Sequence, residues 1–311
     1  MASTQSENFP WSIRTLINSA KRSQTLGLGT SAAAAALWGF GGIFAALASA
    51  PGIVVTFYRL WLGAVLLSMM MFGAGRRLTW ATLRATWIGG PLLACDMVMF
   101  YSAVKLTSIV DATVIGAFQP ALVLIAARRL FAERMGRWDV VWIFLAMAGA
   151  TVAIIGPGKS SHHQVVGDLL AVGALLSFSA YWLVTKQARQ MRDAMEYTAG
   201  VTIMAAVAVT PVVLLSGQSL GSVRVSDWFW ISLLTVVPGS GHLLMNWAYR
   251  FVDASVSSAI SCLSPLVAAV AAIPILGQSL TGTQVGGALF GLAAIAVVAA
   301  RHHEPAQPLS E

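Results

Sequence analysis

The chain has 311 residues, of which 57% are hydrophobic and only 10% are charged, and its mean hydropathy is +0.76. These values lie far outside the range of soluble globular domains and indicate an integral membrane protein, with the lipid bilayer as its surroundings. The formal net charge of +7 would suggest a nucleic-acid partner in a soluble protein, but almost all basic residues here lie in predicted loops, so nucleic acid is not an expected partner.

Ten apolar segments are long enough to cross a bilayer. A hydrocarbon core of ~30 Å requires about 20 apolar residues per helix. The segments that meet this rule are residues 28–48, 52–73, 84–104, 109–130, 138–157, 167–187, 195–216, 227–249, 253–276 and 282–300. A polar tail of residues 1–27, without a cleavable signal pattern, precedes them, and a short polar tail of residues 301–311 follows.

One long pattern occurs twice in the chain. The segment Asp96–Arg137 and the segment Gly241–Gly282, which begins 145 residues later, align without a gap, and the alignment places Pro120 on Pro265. Both segments read as an apolar helix, a short break that carries a cation, and a second apolar helix with a proline inside it. Repeats of whole hydrophobic segments are typical of transporter folds.

The positions of lysine and arginine predict the orientation. If the N-terminus is cytoplasmic, fifteen of the nineteen lie on the cytoplasmic side, three lie on the opposite side, and Arg59 lies within a span, so both termini are expected in the cytoplasm. The halves, residues 28–158 and 159–300, contain five spans each, so the second enters the membrane inverted. The predicted fold is an all-α membrane protein with ten transmembrane helices as two inverted five-helix repeats and a midplane site between them.

Helix-breaking residues occur at nearly equivalent places in the two halves. They are Gly89-Gly90-Pro91 in the third span and Pro238-Gly239-Ser240-Gly241 in the eighth. In an inverted-repeat transporter, such pairs predict broken helices beside the substrate path, because freed backbone groups are tolerated only against protein or water. The other interpretation is that these residues permit close packing or a kink.

Two charged residues lie deep within predicted spans. Arg59 is in the second span and Asp96 is in the third, and at a rise of ~1.5 Å per residue they reach similar depths. An unpaired charge there costs ~2.5–3.5 kcal/mol, so each residue requires the other or water. One interpretation is that Arg59 attracts a substrate carboxylate while Asp96 pairs with it or takes up a proton. The other is a structural ion pair between two helices.

Further candidate binding residues follow from helical spacing. His242 and Asn246 are four residues apart on the eighth span, and their repeat equivalents Met97 and Tyr101 share that spacing on the third, so all four are expected to face one space. His242 is also a candidate proton site, or else a hydrogen-bonding residue of the bundle. The aromatic candidates for planar or cationic substrates, which could instead mark the membrane interface, are Trp38, Tyr58, Tyr181 and Trp247.

The sequence indicates no enzyme chemistry, metal site or cofactor. Cys95 and Cys262 both lie inside apolar segments, so neither a disulfide framework nor a Cys/His metal site is predicted. Motifs such as GxSxG, HExxH and the P-loop are missing. The chain is therefore predicted not to be an enzyme and to bind no cofactor.

The order of several motifs resembles the EamA-type branch of the drug/metabolite transporter superfamily. The motifs are Ala-Leu-Trp-Gly at 36–39, Arg59, Asp111-Ala112, Asp253-Ala254, Pro120, Pro265 and Phe-Ala-Glu-Arg at 131–134. Gln278 departs from the pattern, because the second half of the family usually carries a glutamate there that matches Glu133. The resemblance implies ten helices, cytoplasmic termini and alternating access around a central cavity.

A finer resemblance concerns the substrate. Ala180-Tyr181, Lys186 and Arg189, with Asn246 beside Trp247, are similar to the YddG-type exporters of aromatic amino acids. This branch implies export of aromatic amino acids, and of some planar cationic toxicants, across the inner membrane of a bacterium.

The predicted function is therefore export of small metabolites, most simply amino acids with an aromatic preference, by alternating access. Whether protons drive the movement or it runs downhill stays open, as does the oligomeric state. A nucleotide-sugar or phosphorylated-metabolite antiporter is the alternative within transport, although its cavity should hold several cations. A non-transporting scaffold or receptor is a further alternative, which large soluble loops would favour.

Overall fold

The computed structural model describes residues 13–107, 109–131, 136–154, 164–276 and 281–301. In these residues the secondary structure is helical, without β-strands, and a short 3-10 helix lies at Leu220–Ser222. The α-helices are α1 (Ile13–Leu47), α2 (Gly52–Gly73), α3 (Trp80–Thr86), α4 (Gly89–Leu106), α5 (Ile109–Gly116), α6 (Gln119–Leu130), α7 (Arg137–Ile154), α8 (Gln164–Arg189), α9 (Ala194–Leu215), α10 (Val225–Ala248), α11 (Ala254–Ser261), α12 (Leu263–Leu276) and α13 (Gly282–Arg301).

The prediction of an all-α membrane protein is confirmed. In the described part of the chain, six helical segments are long and apolar enough to cross a membrane, or seven if α3 and α4, which meet at an angle of 49°, form one span. Helices α5 and α6 contain 8 and 12 residues, so each is too short to cross alone. The count of ten spans stays a prediction.

The first helix is longer than the predicted first span. It begins at Ile13, inside the predicted polar tail, and its apolar part is Ser23–Leu47. The remainder of both predicted tails lies outside the described residues. So do Glu133 and Gln278, the equivalent positions at which the second half departs from the family pattern.

Helix pairs match between the two halves. Helix α1 packs along α10 and against α12, while α8 packs along α4 and against α5 and α6. If the halves are exchanged, α1 takes the place of α8, α10 that of α4, and the pair α11 and α12 that of α5 and α6. Helix α7 packs along α13, its own equivalent. This pattern is the one that two repeats related by a pseudo-twofold axis produce.

Glycines allow the helices to approach closely, as one interpretation of the sequence held. A Cβ atom added to Gly149 of α7 would lie 2.5 Å from the Cα of Gly291 in α13. A Cβ on Gly90 of α4 would overlap Met204 of α9, and one on Gly241 of α10 would lie 2.8 Å from the indole ring of Trp38. Small residues at helix interfaces are the usual means of close packing in membranes.

The broken helices are not all where the sequence placed them. The bend between α3 and α4 lies directly before Gly89, but α10 is helical throughout and passes Pro238 without a break, so the expected break in the eighth span is wrong. Short interruptions of regular α-helix lie at Ala117 and Phe118, between α5 and α6, and at Cys262, between α11 and α12. The second is a single residue within the apolar helix Ala254–Ile275, which continues as one span. Ala117 and Cys262 are repeat equivalents, 145 residues apart.

Prolines explain where the new helices begin after these interruptions. Pro120 is the second residue of α6, and Pro265 is the third residue of α12. A proline in the first turn costs little, because the missing N–H would have no partner inside the helix. The two prolines that the repeat alignment pairs therefore lie at equivalent places, directly after the two short interruptions.

Candidate substrate cavity

A large cavity lies between the two repeats. It encloses about 960 Å³ of unfilled space, including its open mouth. Its walls come from α1, α2, α4, α5 and α6, and from α8, α10, α11 and α12, so both halves contribute. Six of the ten predicted binding residues line it: Trp38, Arg59, Asp96, Met97, Tyr101 and His242.

Arg59 is held in the wall by a carbonyl group that a proline leaves free. Pro238 has no N–H, so the carbonyl oxygen of Leu234, four residues earlier in α10, lacks its helical partner. The Nε of Arg59 donates a hydrogen bond to this oxygen over 3.1 Å, and Nη1 contacts the Sδ of Met97 at 2.7 Å. The guanidinium carbon lies 5.3 Å from the ring centroid of Tyr101, within range of a cation–π interaction.

Asp96 faces the same cavity but does not pair directly with Arg59. The ion pairs in the described part of the chain join Arg76 with Asp193 and Arg301 with Asp139. The structural ion pair that the sequence suggested is therefore not formed, because Arg59 is directed to the Leu234 carbonyl oxygen and to Met97. The carboxylate of Asp96 is left beside the cavity, available to a ligand.

Aromatic rings form one side of the cavity. The ring centroid of Trp38 lies 5.1 Å from that of His242 and 5.6 Å from that of Phe178. Phe178 in turn stacks on Tyr181, with 5.9 Å between the centroids. Phe178 was not among the predicted binding residues, although it lies three residues before Tyr181 on the same helix, a spacing that places both rings on one face.

Three buried polar groups in the cavity wall have no hydrogen-bond partner among the described residues. They are the indole nitrogen of Trp38, Nδ1 of His242 and the amide nitrogen Nε2 of Gln119. An unsatisfied buried donor or acceptor costs about 1–3 kcal/mol. A bound ligand or water is therefore the natural partner for these groups.

Tyr181 lines a second, smaller cavity. This space of about 630 Å³ lies among α2, α4, α8, α9 and α10. Arg59, Met97 and His242 belong to the walls of both cavities, so they form the partition between them.

The remaining three predicted binding residues lie elsewhere. Tyr58 donates a hydrogen bond to the carbonyl oxygen of Leu220 over 3.0 Å. Asn246 is 1% exposed and donates to the hydroxyl of Thr198 over 2.8 Å. Trp247 is 36% exposed and lies on the outer surface, because adjacent residues of a helix point in directions about 100° apart. The structure therefore does not bring these three side chains into the cavity.

Lys186 and Arg189, which carried part of the finer resemblance, hold the end of a helix. Lys186 donates to the carbonyl oxygen of Tyr249 over 2.8 Å, and the Nε of Arg189 donates to that of Asn246 over 2.5 Å. In the first repeat, Lys105 likewise donates to the carbonyl oxygens at the end of α1. Cations at helix C-termini are stabilised by the free carbonyl groups and the helix dipole.

Comparison with known proteins assigns the chain to a family. The model of the EamA-like transporter family matches twice, over residues 25–155 and 165–300. The chain belongs to the EamA-like transporter family. This protein is therefore a multi-pass membrane transporter, and the double match agrees with the repeat found within the sequence.

Two further similarities concern this EamA-like transporter as a whole. The chain is 26% identical over 281 residues to "Uncharacterized transporter YwfM" of Bacillus subtilis (strain 168), and the match covers 86% of this chain and 92% of that protein. A solved structure described as "Crystal structure of protein" matches with a TM-score of 0.72 and 17% identity, over 89% of this chain and 97% of the other. The latter similarity concerns the fold alone.

Proposed function

We propose that the protein exports zwitterionic amino acids, with a preference for aromatic side chains, by alternating access around the cavity between its repeats. The observation that carries this proposal is the charge of the cavity wall. Among the described lining residues, Arg59 and Asp96 are the charged side chains, and they have opposite signs and no direct ion pair. An amino acid presents a carboxylate and an ammonium group, which these two side chains match.

The apolar part of the wall supports an aromatic preference. Trp38 and Phe178 offer ring faces and edges to an aromatic side chain. Planar cations would suit Asp96 and the same rings.

The wall argues against multiply charged substrates. A nucleotide sugar or phosphorylated metabolite carries two or more negative charges, and phosphate groups are usually held by several Lys or Arg side chains. Arg59 is the cation among the described lining residues. The other buried cations, Lys186 and Arg189, are engaged with backbone carbonyl oxygens.

The proposed location is the inner membrane of a bacterium, with both termini in the cytoplasm. The excess of lysine and arginine, fifteen against three, supports this orientation. Rocking of one repeat against the other would then expose the cavity to each side in turn.

Uptake into liposomes tests the proposal. Purified protein in liposomes is given labelled phenylalanine, tryptophan, threonine or a charged sugar nucleotide, and empty liposomes serve as the control. Saturable uptake of the aromatic amino acids, with little of threonine and none of the sugar nucleotide, is expected. Uptake of the sugar nucleotide alone would contradict the proposal.

A further inference from the structure

The interruptions of two equivalent spans meet at the cavity. Ala117, between α5 and α6, and Cys262, between α11 and α12, both line it. The polar side chains beside these two positions, Gln119 and Ser261, form a second polar region of the cavity wall.

In this region, the side chain of Gln119 has an amide group that lacks part of its hydrogen bonding. Gln119 is the first residue of α6, and it is 4% exposed. One end of its amide lies 3.2 Å from the hydroxyl oxygen of Ser261, which belongs to the other repeat. The other end of the amide has no partner in the described part of the chain. A buried amide with only one hydrogen-bonded end lowers the stability of the empty site. A polar group of a ligand could supply the missing hydrogen bond.

Gln119 and the charged pair lie on different helices of the cavity wall. Arg59 lies on α2 and Asp96 on α4, whereas Gln119 lies on α6, and α6 packs against α7, α8 and α11. Neither α2 nor α4 packs extensively against α6 in the described residues. An amino acid held through its carboxylate and ammonium groups at α2 and α4 has a side chain that is free to extend toward α6.

We propose that Gln119 selects substrates that carry a hydroxyl group on the aromatic ring. This inference rests on the proposed function, since it assumes an amino acid held by Arg59 and Asp96. A phenol both donates and accepts a hydrogen bond, so it pairs with either end of the amide. Tyrosine is therefore preferred to phenylalanine, which would leave the amide unpaired in the complex.

The test is competition between two substrates that differ by one hydroxyl group. Tyrosine and phenylalanine compete for uptake into liposomes that hold the wild-type protein or Gln119→Met, which has nearly the same size but no amide. The wild type is expected to prefer tyrosine about tenfold, the value of one net hydrogen bond. In Gln119→Met the ratio is expected to fall to about one, because the hydroxyl group of tyrosine loses its partner.

Matched variants separate the amide from general polarity. Ser264 is the repeat equivalent of Gln119 and also lines the cavity. Ser264→Ala is expected to keep the tyrosine preference, whereas Gln119→Asn, with an amide withdrawn by one methylene group, should give an intermediate ratio. An equal loss of preference in Ser264→Ala would overturn the role of Gln119.

The wild-type ratio is decisive even if a variant fails to fold. Uptake of phenylalanine with no preference for tyrosine overturns the role of Gln119 and leaves the proposed function standing. A wild-type protein that transports neither amino acid overturns both. A preference for tyrosine that persists in Gln119→Met assigns the selection to another residue and likewise overturns the inference.

Discussion

The two repeats share a backbone plan but supply different side chains to the cavity. Both have a short interruption of regular α-helix at equivalent positions, Ala117 and Cys262. The first repeat contributes Arg59 and Asp96, whereas the described lining residues of the second carry no carboxylate, lysine or arginine. At the position equivalent to Asp96, the second repeat has Gly241, and the indole of Trp38 packs there.

The repeat therefore specifies the helical framework but not the side chains of the cavity wall. Two similar units give a frame in which either can move against the other around a shared cavity. A fully symmetric wall could not distinguish the two ends of a substrate. Charges confined to one repeat remove that symmetry, so a zwitterion has one favoured orientation.

The largest expected effect comes from the cation of the first repeat. Arg59→Gln should lower kcat/KM for phenylalanine about 30-fold, because a charge-assisted hydrogen bond contributes about 1.5–3 kcal/mol. Arg59→Lys keeps the charge and should lose less. Initial rates of uptake over a range of concentrations measure both. Equal losses in the two variants, together with a lower melting temperature, would assign Arg59 a structural role through the carbonyl group of Leu234.

The anion of the first repeat should have the next largest effect. Asp96→Asn removes the charge with little change of size and is expected to lower kcat/KM for phenylalanine about tenfold. Asp193→Asn is the matched control, because Asp193 forms an ion pair at the surface with Arg76. This control should transport normally. Normal transport by Asp96→Asn would show that the carboxylate of Asp96 does not bind the substrate.

The packing of the two repeats on each other can be tested where helices α7 and α13 meet. Gly149→Leu places a side chain against Gly291 and should lower stability by about 1–3 kcal/mol. Gly286→Ala on α13 is the control, because a Cβ atom there meets nothing within 4 Å. Melting of the purified protein in detergent measures both. An unchanged melting temperature in Gly149→Leu would contradict the close packing of these helices.

The smallest effect is expected away from the cavity. Tyr58 was a predicted binding residue, but its hydroxyl donates to the carbonyl oxygen of Leu220 and its ring packs on Trp228. Tyr58→Phe removes one hydrogen bond, so transport of phenylalanine should change less than about twofold. A large rise in KM would show that Tyr58 contacts the substrate after all.

The sequence predicted the repeated arrangement of helices better than it predicted individual side-chain contacts. The 145-residue alignment paired Pro120 with Pro265, which begin equivalent helices, yet it gave no means to distinguish them from Pro238. The carbonyl group that Pro238 frees, that of Leu234, accepts from Arg59, 175 residues away in the chain, and α10 stays continuous.

The same contact explains why the predicted ion pair failed. Depth along two helices brought Arg59 and Asp96 to one cavity, as expected. Their rotamers depend on neighbours that helical spacing cannot identify, in this case the carbonyl of Leu234 and the sulfur of Met97. Gln119 had no repeat pattern or charge to mark it, since its equivalent is Ser264. It became a candidate only through its half-satisfied amide.

Competition by two truncated analogues tests the central claim most directly. Phenethylamine lacks the carboxylate of phenylalanine, and 3-phenylpropionate lacks its ammonium group. If Arg59 and Asp96 hold the two ends of a zwitterion, Arg59→Gln loses inhibition of uptake by phenylpropionate but keeps that by phenethylamine, and Asp96→Asn shows the reverse. Equal weakening of both inhibitors in both variants would contradict the account and leave the two charges with a structural role.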